Sequence, residues 1–96
     1  MKLNVKIYGA GSIGNHYAKA CRNKKWNVTI IDKDPKALIR TRNFIYPHRY
    51  KKWDKKIRLI SKDDDLFYDL IIIGTPPNSH LNIANIILDK NLCKVL

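Results

Sequence analysis

The chain has 96 residues, which is enough for one small domain around a single hydrophobic core. Its hydrophobic content of 45% is typical of a globular protein and excludes a largely disordered chain. No apolar run is long enough to cross a bilayer and no secretory signal is evident, so we expect a cytoplasmic protein. The formal net charge is +11, with 19 Lys and Arg against 8 acidic residues.

Apolar runs and helical patterns alternate along the chain. Strands are predicted at residues 3–8, 28–31, 57–60, 69–73 and 93–96, and helices at 12–24, 34–43 and 78–90. The polar stretch 61–68 is predicted to be a connection or a short helix. Because crossovers between parallel strands are right-handed, this order predicts an α/β, Rossmann-like fold in one domain, residues 1–96. Its doubly wound parallel sheet has the strand order 3-2-1-4-5 and lies between two layers of helices.

The same pattern predicts which helix faces are buried and where the helices begin and end. The buried faces are predicted to comprise Ile13, Tyr17, Ala20 and Cys21 in the first helix, and Ile83, Ala84, Ile87 and Leu88 in the last. Asp34 and Asn78 are expected to cap the second and last helices, and the second helix to end before Pro47. Lys6 interrupts the apolar first strand, and we expect its amine to reach outward to solvent.

The sequence Gly9-Ala10-Gly11-Ser12-Ile13-Gly14 has the spacing G-x-G-x-x-G between a predicted strand and a predicted helix. In such a loop Gly9 permits a tight turn, Gly11 lets a diphosphate approach the backbone, and Gly14 lets the helix lie against the strand. The amides of Ser12 and Ile13 would then point towards an anion at the positive end of the helix. These five residues are therefore predicted to bind a dinucleotide cofactor.

Asp32 is predicted to lie at the C-terminal end of the second strand. There its carboxylate can accept hydrogen bonds from both hydroxyl groups of the adenosine ribose. Its charge would repel a 2′-phosphate, so NAD is favoured over NADP as the cofactor. Lys33 follows directly and could pair with such a phosphate, which keeps NADP open as the alternative.

The segment from Gly74 to His80 follows the fourth strand, which is predicted to lie beside the first strand and its glycine loop. Consecutive prolines, Pro76 and Pro77, would make a stiff apolar wall for the nicotinamide half of the cofactor. Thr75 can offer its hydroxyl to a ribose or a phosphate. His80 is interpreted as a buried residue that ties down the loop, with a general base as the alternative. Thr75, Pro76 and His80 are therefore predicted to contact or shape the cofactor site.

Together, the glycine loop, Asp32 and Thr75-Pro76-Pro77-Asn78-Ser79-His80 resemble the N-terminal nucleotide-binding domain of the glucose-fructose oxidoreductase / inositol dehydrogenase (Gfo/Idh/MocA) family. The resemblance extends over essentially the whole chain. It implies a domain that binds NAD or NADP in an oxidoreductase, which transfers hydride at a sugar, cyclitol or related carbinol carbon.

In that family the fifth strand continues into a Glu-Lys-Pro motif whose lysine assists proton transfer, and this chain ends at Leu96, where the motif is expected. We therefore expect a truncated domain that binds dinucleotide without turnover, with no catalytic residue of its own. The small-molecule substrate would belong to the full-length parent. A sheet edge or apolar face left uncovered is expected to cause self-association.

Other classes of protein share parts of this pattern. An NAD-sensing regulatory module shares the glycine motif and the acid, but it lacks the Thr-Pro-Pro-Asn-Ser-His loop. A methyltransferase also places an acid on a ribose, but its loop usually lacks the third glycine.

Residues 40–58 hold eight Lys or Arg and one acid, Asp54, with interleaved aromatic residues, as nucleic-acid-binding surfaces do. A solvated basic face, or one matched to an anionic substrate or partner, explains that charge as well, so nucleic-acid binding is disfavoured. Cys21 and Cys93 lack the spacing of a metal site and are expected to be buried hydrophobes.

Overall fold

A computed structural model describes the backbone of residues 2–75, 77–90 and 93–95 and the side chains of residues 2–75 and 81–88. The strands are β1 (Asn4–Tyr8), β2 (Asn27–Ile31), β3 (Ile57–Ile60), β4 (Tyr68–Ile73) and β5 (Cys93–Val95). The α-helices are α1 (Ser12–Asn23), α2 (Pro35–Arg40), α3 (Tyr46–Tyr50) and α4 (Pro77–Lys90), and a π-helical turn, Thr41–Ile45, joins α2 to α3. Within these ranges no helix has both the length and the apolar character needed to span a membrane.

The strands form one parallel sheet with the order β3-β2-β1-β4-β5. The central strand β1 is in register with both neighbours, since Val5 lies opposite Val28 of β2 and Leu70 of β4. The predicted α/β class and the parallel order 3-2-1-4 are confirmed, and they are compatible with a Rossmann-like fold. This topology brings the C-terminal ends of β1, β2 and β4 together at one edge of the sheet.

Apolar side chains are buried on both faces of the sheet. One core cluster joins Val5, Ile7, Val28 and Ile30 of the strands to residues from α1, α2 and α3, among them Ala18, Cys21, Leu38 and Tyr46. A second cluster joins Tyr8, Ile31 and Ile71 to Ile87 of α4. Helices therefore cover both faces, and Cys21 is buried as predicted.

The predicted buried face of α1 is wrong for Ile13, Tyr17 and Ala20, which are exposed, and right for Cys21, which is buried. Ile13 and Tyr17 are 61% and 44% exposed, whereas the buried residues are Gly14, Asn15, Ala18 and Cys21. The reason is the contact between Gly14 and the strand end, since a Cβ at Gly14 would lie 2.1 Å from the carbonyl oxygen of Gly9. That close approach fixes the rotation of α1 about its axis and turns Ile13 outward.

The helical segment after β2 is longer than predicted. Asp34 caps α2 as expected, because its side chain accepts a hydrogen bond from the amide of Lys36 at 3.0 Å. The chain, however, continues through the π-helical turn into α3 rather than ending before Pro47. Pro47 lies in the first turn of α3, where a missing amide costs that helix no hydrogen bond.

Two details of α4 also differ from the prediction. The helix begins at Pro77 rather than after a cap at Asn78. Ile87 is buried and Ile83 is partly buried, but Leu88 is 62% exposed. Ile83 and Ile87 are four residues apart and so share the stripe that faces the sheet, whereas Leu88 is rotated away from it.

Lys6 does not reach outward to solvent. It is fully buried in the middle of β1, and its Nζ lies 2.7 Å from carboxylate oxygens of both Asp63 and Asp64. These acids belong to residues 61–67, which join β3 to β4 without a helix and which we call the acidic crossover. A lysine in a central strand is therefore matched by two acids from the connection that crosses its face.

Candidate functional site

The glycine loop between β1 and α1 has a geometry that only glycine allows at two of its positions. Gly9 has φ +105°, and its amide donates to the carbonyl oxygen of Ile31 at 2.8 Å. A side chain at Gly14 would overlap the Gly9 carbonyl, as described above. At Gly11, by contrast, a Cβ would meet nothing within 4 Å. Gly11 therefore has no structural need to be glycine, and the space beside it is open to a ligand.

Buried side chains hold the carbonyl groups of this loop. The Nδ2 of Asn15 lies 2.8 Å from the Gly11 oxygen and 3.2 Å from the Ala10 oxygen. The Ala10 oxygen also accepts a hydrogen bond from the hydroxyl of Thr41, which Asn15 contacts at 3.1 Å. Asn15 and Thr41 are both fully buried. The loop is thus fixed from its inner side, through its acceptors.

Arg49 of α3 holds the next residue of the loop. Its guanidinium group donates to the carbonyl oxygen of Ser12 at 3.0 Å and to the Ser12 hydroxyl. The carbonyl groups of Ala10, Gly11 and Ser12 are therefore all engaged by side chains.

The start of α1 remains without a side-chain cap. Gly11 occupies the capping position and has no side chain that could accept from the helix amides, and no acidic residue lies in the first turn. The first amides of a helix have no acceptor within the helix. The amides of Ser12 and Ile13, with the positive end of the helix dipole, are therefore suited to an anion.

Asp32 follows β2 and ties the glycine loop to the second strand. One carboxylate oxygen accepts from the amide of Ala10 at 3.0 Å, and the other accepts from the amide of Asp34 at 2.9 Å. Each oxygen keeps a second lone pair, so both can still accept a hydroxyl donor. Lys33 is exposed beside it. The predicted ribose acceptor is therefore oriented by the same loop that would hold the diphosphate.

The end of β4 forms the opposite wall of the site. The amide of Gly74 donates to the carbonyl oxygen of Tyr8 at 2.8 Å, and a Cβ at Gly9 would lie 3.0 Å from the Gly74 backbone. Thr75 follows, and within the described residues its buried Oγ1 has no hydrogen-bond partner. Pro76 lies outside the described residues, and for His80 only its position in α4 is described. The two predicted loops are thus adjacent.

A cleft of about 670 Å³ lies between these walls. Five of the residues that the sequence analysis assigned to a cofactor site line this cleft: Gly9, Gly11, Asp32, Lys33 and Thr75. Ser12, Ile13 and Gly14 form the first turn of α1 next to it. The volume is within the range of about 300–1,000 Å³ that is usual for small-molecule sites.

Sequence reasoning missed several residues of this site. Arg40 and Asp63 also line the cleft, while Thr41, Asn15 and Arg49 support its loop. Arg40 and Arg49 belong to the basic stretch, residues 40–58, whose charge alone does not distinguish a solvated face from one matched to an anionic partner. Asn15 and Thr41 carry no pattern that marks them, because their roles depend on contacts between distant segments.

A partly buried polar network adjoins the cleft, which two of its members, Tyr8 and Asp63, line. The Tyr8 hydroxyl donates to Asp63, and the Tyr68 hydroxyl donates to Asp64 at 2.7 Å. Burial alone would raise the pKa of both carboxyl groups, but their hydrogen bonds with Lys6 and the tyrosines outweigh it and hold each pKa below its ordinary value. Burial and the neighbouring Asp63 raise the pKa of Tyr8. Tyr8 is therefore a neutral donor, and Asp63 stays charged while paired with Lys6.

No protein-family model matches this chain, and no curated protein matches it. Among the described residues no cluster of three or more His, Cys, Asp or Glu is arranged to hold a metal ion.

Proposed function

We propose that this chain binds an adenine dinucleotide, NAD with NADP as the alternative, as the nucleotide-binding domain of an oxidoreductase. The observation that supports the proposal is the pairing of two loops across one cleft. The glycine loop offers helix amides with no side-chain cap, and Gly74 and Thr75 form the facing wall. A glycine-rich turn without a ligand would not need an open space beside Gly11.

Each described group has a part in binding. The diphosphate would lie at the start of α1, close to Gly11, where backbone amides and the helix dipole favour negative charge. The carboxylate of Asp32 would accept the hydroxyl groups of the adenosine ribose. The Thr75 hydroxyl, for which the described residues provide no hydrogen-bond partner, would bind a ribose or phosphate oxygen on the other side of the cleft.

NAD is the favoured cofactor because the Asp32 carboxylate lies where a 2′-phosphate would be repelled. Lys33 and Arg40 line the same cleft and keep NADP as the alternative. The relative affinities for NAD and NADP measure whether repulsion of a 2′-phosphate by Asp32 or its attraction by Lys33 and Arg40 is the stronger effect.

The oxidoreductase part of the proposal rests on the resemblance of Thr75 to His80 and the glycine loop to the Gfo/Idh/MocA family. In an enzyme of that kind the bound nicotinamide accepts hydride from a carbinol carbon of a sugar or cyclitol. The described residues of this chain would bind and orient the cofactor, and we assign no proton transfer to them.

Isothermal titration calorimetry with NADH tests the proposal. We expect saturable binding with a dissociation constant of about 1 mM or lower. NADPH should bind more weakly, and S-adenosylmethionine should not bind. Absence of heat at millimolar NADH from a protein that is folded by circular dichroism would contradict the proposal, and tighter binding of S-adenosylmethionine would favour a methyltransferase instead.

A further inference from the structure

We propose that Arg49 is a binding and positioning residue for the diphosphate of the cofactor, an inference that rests on the proposed function. Arg49 belongs to α3, beyond β2 in the chain, and the glycine motif does not predict its involvement. Its guanidinium group nevertheless donates to both the carbonyl oxygen and the hydroxyl of Ser12, the first residue of α1.

Within the part of the chain that the structure describes, no acidic side chain neutralises the charge of Arg49. The residue is exposed, and among the described residues no carboxylate forms an ion pair with it. The one acid of the basic stretch, Asp54, is bound instead by Arg22 at 2.8 Å. A cation without a counter-charge beside an uncapped helix start adds to the positive potential there.

The chemistry of the side chain fits a diphosphate. Guanidinium is planar and always charged, and it binds phosphate oxygens through parallel N–H donors. The two contacts with Ser12 leave further N–H donors on Arg49 unused. Those contacts also fix the Ser12 peptide and hydroxyl, so the same residue orients the loop and supplies charge.

Buried contacts fix the position of the segment that carries Arg49 relative to the glycine loop. Thr41, at the start of the π-helical turn, is buried against the Ala10 carbonyl and Asn15. Tyr46 of α3 is buried in the core, where its ring packs edge-to-face on Tyr50 and Trp53. Tyr50 and Trp53, which follow Arg49, are themselves packed against the core, so the backbone that carries Arg49 is anchored before and after it.

The test compares ligands with and without phosphate in matched variants. Arg49→Gln should weaken NADH and ADP binding by about tenfold or more, because charge-assisted hydrogen bonds are lost. Adenosine, measured by ligand-observed NMR, should bind as it does to the unmodified protein. The affinity of Arg49→Lys for NADH should lie between those of the unmodified protein and Arg49→Gln, since lysine keeps the charge but lacks the planar guanidinium group. Arg42→Gln is the control, because Arg42 is exposed and basic like Arg49 but, among the described residues, makes no hydrogen bond to the glycine loop.

The outcomes separate this inference from the proposed function. Normal NADH binding by Arg49→Gln, or an equal loss for adenosine and NADH, overturns the role of Arg49 and leaves the dinucleotide site standing. If the unmodified protein does not bind NADH, the proposed function itself fails. Thermal unfolding of each variant is measured alongside, and if Arg49→Gln does not fold, the ratio of NADH to adenosine affinity in Arg49→Lys decides the question.

Discussion

Glycines at neighbouring positions of one loop have different physical roles. Gly14 is required by the fold, because the helix and the strand end meet there with no room for a side chain. Gly11 has φ −85° and open space around its Cβ position, so an alanine there meets neither strain nor a clash. The described part of the chain therefore does not require glycine at position 11, whereas the diphosphate proposed beside it would.

Replacing Gly14 with Ala should destabilise the protein by about 4 kcal/mol or more, the range reached when a substitution forces the backbone to move. A Cβ at 2.1 Å from the Gly9 oxygen leaves no other accommodation. Urea unfolding measures the change. The matched control is Gly11→Ala, which should cost within about 1 kcal/mol as a weaker helix cap. Equal stability of the two variants would show that Gly14 does not contact the strand end.

At the scale of elements, the connection from β3 to β4 is the least expected part of the fold. A crossover between parallel strands usually contains a helix, whose apolar side covers the sheet. Here the acidic crossover places the carboxylates of Asp63 and Asp64 over β1, and the buried Lys6 of that strand forms ion pairs with both. The ammonium of Lys6 also lies 4.5 Å from the centroid of the Tyr68 ring, which adds a cation–π contact.

Replacing Lys6 with Met keeps the stem and removes the charge. We expect the free energy of unfolding to fall by about 3–5 kcal/mol, because Asp63 and Asp64 are left together without their cation. The exposed Lys36→Met is the control and should change stability by no more than about 0.5 kcal/mol.

Adding Asp63→Asn and Asp64→Asn to Lys6→Met should recover part of the lost stability, since the variant then buries no uncompensated charge. Chemical denaturation of the set measures the coupling. If Lys6→Met is as stable as the unmodified protein, the ion pairs do not hold the acidic crossover in place.

For the whole molecule, the same network predicts how stability depends on pH. Burial alone would raise the pKa of Asp54, Asp63 and Asp64, but hydrogen bonds with Arg22 and Lys6 lower all three pKa values. Their stabilisation is therefore complete above the ordinary carboxyl pKa of about 3.9 and is lost as the pH falls through the lower folded values. Burial alone would lower the pKa of Lys6, but the two acids raise it, so its contribution is complete below about pH 10.4 and is lost above.

We therefore expect the midpoint temperature of thermal unfolding to be nearly constant between about pH 5 and pH 9. At pH values lower than about 4 this temperature should decrease. Scanning calorimetry across this range measures it. In the variant with Met at position 6 and Asn at positions 63 and 64, the acid dependence should be shallower. An unchanged midpoint down to about pH 2 would contradict the coupling between these charges and the fold.

The sheet could be predicted because strand and helix periods differ locally, and short apolar runs bounded by turn residues mark the strands without knowledge of their neighbours. The rotation of α1 could not, because Ile13 and Tyr17 form a plausible apolar stripe and the Gly14 contact that overrides it exists only in three dimensions. The predicted exposure of the Lys6 amine is wrong for the same reason, since its partners, Asp63 and Asp64, are 57 and 58 residues away in the chain.

The site was predictable where a motif fixes backbone geometry, and not where side chains from other segments support it. Gly9, Gly11, Asp32 and Thr75 line one cleft, as their spacing indicates. Arg49 and Thr41 reach the loop from the helical segment that continues through the π-helical turn into α3, and no local pattern in the sequence predicted that continuation.

NADH titration of the unmodified protein and of Gly11→Ala, side by side, tests the central claim most directly. A Cβ at Gly11 touches no atom of the protein but would occupy the space assigned to the diphosphate. We expect both proteins to fold, and Gly11→Ala to bind NADH at least about tenfold more weakly. Equal affinities, or no binding by the unmodified protein, would contradict the placement of a dinucleotide in this cleft.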